Sequence, residues 1–221
     1  MGITRRCRYS RLDMKNILRS LVLAGLALGT SLAHGESPAA SAADAKPLGV
    51  GAHAPGVTLT DSEGAPVNLA KAFAGKPTVL VFYRGSWCPF CNRQLAALGE
   101  LEPKLLALGY QIIAISPDTA EGLKKMAGKN HLNYRLLSDH GMEASSAYGT
   151  AFRLSAEIEK AYGGHGVPLT PVHGAKGYWL PVPTVYLIGR DGLIKFAYSN
   201  PDYKVRLASA DLLAAAESAA K

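Results

Sequence analysis

Thr78-Val79-Leu80-Val81-Phe82-Tyr83 is followed, after Arg84-Gly85-Ser86, by Trp87-Cys88-Pro89-Phe90-Cys91. The first stretch is a continuous β-branched and aromatic run, the composition of a strand buried on both faces. The second opens a helix. Pro89 suits the first helical position, because its missing N–H would have no intrahelical partner there. A buried strand leading through a short turn into a helix is the β-α unit of an α/β protein. Two thiols three residues apart sit at the junction.

Outward from this unit the pattern continues. Residues 57–60 and 66–69 are short strand candidates around the turn Asp61-Ser62-Glu63-Gly64. The helix opening at Pro89 extends to residue 108, because Leu95, Leu98, Leu101, Leu105 and Leu108 recur at three- and four-residue spacing. Pro103 lies inside it and is expected to kink or split it. Residues 110–116 read as the next buried strand. Residues 119–129 read as a helix capped by Asp118, 135–138 as a short strand and 143–148 as a short helix. Between 152 and 181, Gly163, Gly164, Gly166, Pro168, Pro171, Gly174 and Gly177 predict a mostly irregular segment after a helical turn at 155–162. Long loops of this kind inside domains are often functional. Residues 184–188 and 193–198 form a hairpin across Arg190-Asp191-Gly192, and 208–219 a closing helix. The order predicts an α/β fold with a central mixed β-sheet flanked by helices.

The thiol pair carries the chemistry. A disulfide needs its β-carbons within roughly 3.5–4.5 Å, which residues three apart on a first helical turn can reach. The partial positive charge of a helix N-terminus favours a thiolate, and cysteines in such motifs titrate at roughly 3.5–7.5 against ~8.5 when free. Arg84 adds a local cation if its side chain turns toward the sulfur. Cys88 is expected to be the exposed nucleophile and Cys91, one turn deeper, the resolving thiol. Two plainer readings compete. An inert structural disulfide of this spacing closes a tiny loop and restricts the unfolded chain little. Half of a zinc site with His165 and His173 would lack a second cysteine pair. No cofactor or metal is called for.

The chain has 221 residues and three cysteines. Arg5, Arg6, Arg8, Arg11, Lys15 and Arg19 precede an uncharged, apolar stretch at 20–33. That stretch is shorter than the roughly 18 residues a membrane span needs. Residues 1–33 therefore read as a secretory signal peptide, with cleavage after Ala33, or after Gly35 or Ala43; an uncleaved anchor is the rival. Thr4-Arg5-Arg6 resembles a twin-arginine signal only weakly, and Met14 could be the true start. Removal of the leader takes six of the 24 basic residues and one of the 17 acidic ones, so the net charge falls from +7 to about +2. The basic balance belongs to the leader and gives no ground for nucleic-acid binding. Cys7 leaves too, so the mature chain keeps only the local pair. Residues 34–48, rich in Ala, Ser and Pro, read as a flexible linker, and 49–221 as one domain.

Tyr83-Arg84-Gly85-Ser86-Trp87-Cys88-Pro89-Phe90-Cys91 closely resembles the active-site segment of peroxiredoxin-like proteins of the alkyl hydroperoxide reductase and thiol-specific antioxidant superfamily. Ala114-Ile115-Ser116-Pro117-Asp118, residues 147–154, and residues 182–203 with Asn200-Pro201-Asp202-Tyr203 are similar as well. The resemblance spans roughly residues 50–216 and implies a thioredoxin-like fold. By the sequence alone Pro183 would be trans, since only about one X-Pro bond in twenty is cis. The resemblance implies instead that Pro183 is cis and faces the cysteines, leaving the backbone of Val182 and the neighbouring Thr184 to bind substrate. One departure stands out. Peroxiredoxins carry Pro-x-x-x-Thr/Ser-x-x-Cys, whereas counting back gives Val81 and Gly85 from Cys88, or Arg84 and Cys88 from Cys91. Family comparison can also align Cys91 with the attacking cysteine.

The expectation is an exported thiol–disulfide oxidoreductase with an antioxidant role, periplasmic or secreted, not inserted in the membrane after leader removal. Its substrate is a hydroperoxide or a protein disulfide, and an unidentified thiol is the electron donor. The alternatives are a non-catalytic redox-sensing or metal-binding module and a general protein-disulfide oxidant. Trp87 is expected to pack over the thiols and shield them. Tyr83 is expected in the core and His53, His131 and His140 at the surface. Tyr178 and Trp179 form either a substrate-facing wall or plain packing.

Overall fold

Strand β3 (Thr78–Phe82) is buried along its whole length and sits at the centre of the sheet, as its unbroken apolar composition requires. Its side chains alternate between two cores. Val79 and Val81 face one, and Leu80 and Phe82 face the other. In the computed structural model, which describes residues 38–169, 171 and 177–220, seven strands form one sheet in the order β2-β1-β5-β4-β3-β8-β9. These are β1 (Thr58–Asp61), β2 (Pro66–Asn68), β4 (Gln111–Ser116), β5 (Arg135–Ser138), β8 (Thr184–Ile188) and β9 (Ile194–Ser199) beside β3. β3, β4 and β5 are parallel and every other pairing is antiparallel, so the sheet is mixed as expected. The leader reading of residues 1–33 and His173 lie outside the described residues. Among the described residues no helix is long and apolar enough to cross a membrane.

Helix α2 (Pro89–Ala107) packs its leucine stripe, Leu95, Leu98, Leu101 and Leu105, into the first core. Each such side chain contributes about 1.5–3 kcal/mol when fully buried. Pro103 does not split this helix: the element runs through it unbroken. The closing helix α6 (Ser209–Ala219) packs beside α2 on the same face, through Leu212 and Ala216. On the other face lie α1 (Leu69–Phe73), of which only Leu69 was expected as a strand end, and α4 (Glu143–Ala147). Helix α3 (Ala120–Asn130) is capped by Thr119, whose side chain accepts from the Gly122 N–H at 3.2 Å, and not by Asp118.

Two expectations are corrected. In 152–181, where described, the helical turn expected at 155–162 is found, but two short strands stand where irregular chain was expected. Strands β6 (Ala151–Arg153) and β7 (Trp179–Pro181) pair into a small second sheet, and α5 (Ala156–Gly164) lies between them in sequence. The linker, where described, is docked: Ala39 bridges to Phe152, Lys46 N–H donates to Gly149 O, and Leu48 N–H to Tyr148 O. Small alanines make this possible. Ala39, Ala42 and Ala45 pack against the cluster of Phe152, Leu154, Leu180 and Val182, as Trp87 does.

Candidate active site

The residues between β3 and α2 form the site. Gly85 has φ +142°, and a Cβ there would meet Nε1 of Trp87 at 2.5 Å, so only glycine lets the indole lie across this turn. Asp118 at the end of β4 holds the turn from the other side. Its carboxylate accepts from the Ser86 N–H at 2.8 Å, the Ser86 hydroxyl at 3.1 Å and the Ser116 hydroxyl at 2.9 Å. Asn92 closes the loop by donating to Ser86 O at 2.8 Å. Burial raises the Asp118 carboxyl above its ordinary range, against the lowering effect of these donors.

Cys88 is the N-cap of α2, with Pro89 at the first helical position. Its sulfur accepts the Cys91 N–H at 3.3 Å, one of the helix N–H groups that otherwise lack partners. Both cysteines are free thiols with no exposed surface. The expected exposure of Cys88 is therefore corrected, since Trp87 and Phe90 pack against the core in which both sulfurs sit. The asymmetry between them is electrostatic. Hydrogen bonding from Cys91 brings Cys88 down to about 6, against the opposing cost of burial, with Arg84 and Arg206 helping. Burial first, then the hydrogen bond and charge of Cys88, push Cys91 far up. These opposite shifts favour the thiolate form at Cys88 and the thiol form at Cys91.

Arg84 is 4 % exposed, and its guanidinium lies 3.8 Å from the ring centre of Tyr203, 5.0 Å from that of Trp87 and 5.5 Å from that of Tyr162, whose hydroxyl accepts a hydrogen bond from it. Its Nε is buried without a partner. Such a cation–aromatic cage holds a positive charge in place where no carboxylate does. Beside it is a cavity of about 160 Å³ lined by Arg84, Phe152, Ile158, Tyr162, Pro183 and Tyr203, among others.

The remaining sequence candidates divide. Pro183 reaches this cavity, but the Val182–Pro183 bond is trans, contrary to the expectation from the resemblance. Both backbone groups of Val182 are engaged within the fold: its N–H donates to Thr150 O at 2.8 Å, and its carbonyl accepts the Thr184 hydroxyl at 2.9 Å. Thr184 is buried and paired in the sheet with Phe82 and Ser199. This intramolecular pairing gives no support to the substrate-binding reading of Val182 and Thr184. Trp87 lies edge-on to Tyr162, with ring centres 5.5 Å apart, and packs against the core that holds the thiols. Tyr83 is fully buried, and His53, His131 and His140 are exposed, as expected. Tyr178 and Trp179 pack on the β6–β7 side.

Sequence reasoning missed Arg206. Its guanidinium donates to Tyr203 O at 2.7 Å, to Gln94 Oε1 at 2.7 Å and to Cys91 Sγ at 3.3 Å. It lies 115 residues from Cys91 in the chain, and no local spacing announces that contact. Tyr203 stood in a quoted motif without a role.

The AhpC/TSA family profile matches residues 50–197. The chain is 30% identical over 150 residues to a chloroplastic peroxiredoxin Q of Sedum lineare, covering 68% of each chain. It is 31% identical over 150 residues to that of Suaeda salsa, covering 68% of this chain and 59% of the relative. Among solved structures, peroxidoxin BcpB of Mycobacterium tuberculosis superposes with a TM-score of 0.60 at 22% identity, over 76% of this chain and 96% of that one. A cysteine-to-serine mutant of Xylella fastidiosa PrxQ gives 0.63 at 14% identity, over 80% and 99%. The chain belongs to the AhpC/TSA family, as a peroxiredoxin-like protein of thioredoxin fold.

Proposed function

We propose that this thiol-based oxidoreductase reduces hydroperoxides, with Cys88 as the attacking sulfur and Cys91 as the resolving one. The depressed Cys88 thiol beside a protonated Cys91 carries the reading. The Cys88 thiolate attacks the peroxide O–O bond; that bond breaks, an alcohol or water leaves with one proton, and Cys88 becomes a sulfenic acid. The Cys91 thiol then condenses with it, expelling water and forming the Cys88–Cys91 disulfide. An external dithiol returns two electrons and two protons by thiol–disulfide exchange. The named relatives, peroxiredoxins Q, support a hydroperoxide substrate. So does the burial of both sulfurs, which a small peroxide tolerates better than a protein disulfide does.

Stopped-flow oxidation of the reduced protein by hydrogen peroxide and by an organic hydroperoxide, run beside an insulin-type disulfide assay, tests this. Fast peroxide consumption, lost in Cys88→Ser, is expected. In Cys91→Ser a trappable sulfenic acid is expected without turnover. Retained peroxidase turnover in Cys88→Ser would transfer the attack to Cys91. Disulfide reduction without peroxide consumption would replace the substrate class.

We further propose export to the periplasm or the cell exterior, supported by the basic and apolar pattern of residues 1–33. N-terminal sequencing of protein recovered from fractionated cells tests it. A mature start near residue 34 is expected, and a cytoplasmic protein retaining residues 1–33 would refute it.

A further inference from the structure

A cleft of about 390 Å³ lies between α2 and α6, and none of Arg84, Trp87 and Tyr162 is part of its lining. Its apolar wall is built from Val81, Leu98, Leu101, Val185 and Leu212. Arg93, Lys204 and Arg206 also line it, and no Asp or Glu does. Arg93 and Lys204 are exposed and stand over the rings of Phe90 and Tyr203, at 5.4 and 6.0 Å from the ring centres. Among the described residues the salt bridges are Lys124–Glu63, Lys125–Glu121 and Lys195–Asp191, so none of the three cleft cations has a carboxylate partner. Helix α6 starts in the same wall with no side chain capping its first N–H groups, and Asp211 on its first turn is not part of the lining.

We propose that this cleft binds an anionic amphiphile, an aliphatic carboxylate whose tail lies along the α2–α6 wall and whose head meets Arg93 and Lys204. Each half of the cleft selects for one half of such a molecule. The leucine and valine wall offers no polar partner to a sugar, and burying an aliphatic tail there is favourable. The uncompensated cations, with the added positive field of the α6 N-terminus, favour a carboxylate head and disfavour a cationic one. Arg206 ties the site to the redox pair, since this lining residue also donates from its guanidinium to Cys91 Sγ. The proposal does not rest on peroxidase turnover, and binding alone tests it.

Isothermal titration of the reduced protein with sodium decanoate, below its micelle concentration, should give saturable one-to-one binding. Decyltrimethylammonium, with the same tail and the opposite head, should bind at least about ten-fold more weakly. Ala97→Trp, which fills the cleft from a half-buried position on α2, should weaken decanoate binding by about ten-fold or more. So should Arg93→Gln combined with Lys204→Gln, at two exposed positions that leave the fold intact. Absence of saturable decanoate binding would overturn the proposal. Equal binding of the two heads would overturn it as well, and so would decanoate affinity unchanged in the double glutamine variant.

Discussion

At the scale of the residue, function rests on the difference between two sulfurs three positions apart. Cys88 accepts an N–H at the helix start and is brought down to about 6, whereas Cys91, with deeper cover and a charged neighbour, is driven up. Because the Cys88 value lies below that of a free thiol, ~8.5, the thiolate persists above about pH 6 and is lost as pH falls through it. The ultraviolet thiolate absorbance of the reduced protein should therefore show a midpoint near 6 that disappears in Cys88→Ser. A midpoint at the free-thiol value would remove the proposed nucleophile. Arg84 contributes to this depression through its charge, and its cage fixes where the charge sits. Arg84→Met should move the midpoint upward and slow oxidation at pH 6–7 several-fold. Arg84→Lys should restore little, because an ammonium cannot lie flat among Tyr203, Trp87 and Tyr162 while donating to the Tyr162 hydroxyl.

At the scale of the element, what could be read from the sequence was what local periodicity encodes. The leucine spacing of α2, the unbroken apolar run of β3 and the Pro89 position each speak through neighbours a few residues away, and each is found as expected. The small sheet of β6 and β7 is different. Its strands are three residues long and pair across an intervening helix, so no alternation accumulates to reveal them. Arg206 escaped for the same reason, and Pro183 because the resemblance outweighed the ordinary trans preference. Thr119 displaced Asp118 as a cap because Asp118 was already committed to Ser86. Helix α4 carries a prediction of its own. Buried Asp139 accepts from the N–H groups of Ala144 and Ser145 at 2.9 and 2.8 Å and from the Ser145 hydroxyl at 2.6 Å, yet burial pushes its carboxyl up to about 7. A folded value above the unfolded ~3.9 means that this group's contribution is greatest at low pH. It is lost as pH rises toward 7. Urea midpoints for Asp139→Asn should accordingly depend less on pH between 4 and 7 than those of the parent protein. An identical pH slope in the two proteins would exclude Asp139 as the source.

At the scale of the whole molecule, the segment that composition assigned to a free tether proves to be part of the wall behind the active site. Ala39 enters a bridge with Phe152 and receives the Arg153 N–H, while Ala42 lines the cavity that contains Arg84 and Tyr162. The docking has a built-in sensor at Gly149. Its φ is +68°, and a methyl group there would run into the Lys46 carbonyl. Gly149→Ala should cost about 1–3 kcal/mol and release residues 46–48, where the Lys46 and Leu48 N–H groups bond to Gly149 O and Tyr148 O. A chain beginning at residue 49 should suffer the same loss and a second one. Without Ala39, Ala42 and Ala45, the apolar cluster of Phe152, Leu154 and Trp87 is uncovered, and Trp87 is the side chain that spans from that cluster to the core around Cys88. The truncated protein should therefore melt several degrees lower and react faster with a bulky thiol reagent at Cys88, at matched pH. If it melts lower but its thiol reactivity is unchanged, the docked segment serves stability alone. If melting falls and thiol reactivity rises together, the segment also sets how closely the attacking sulfur is covered.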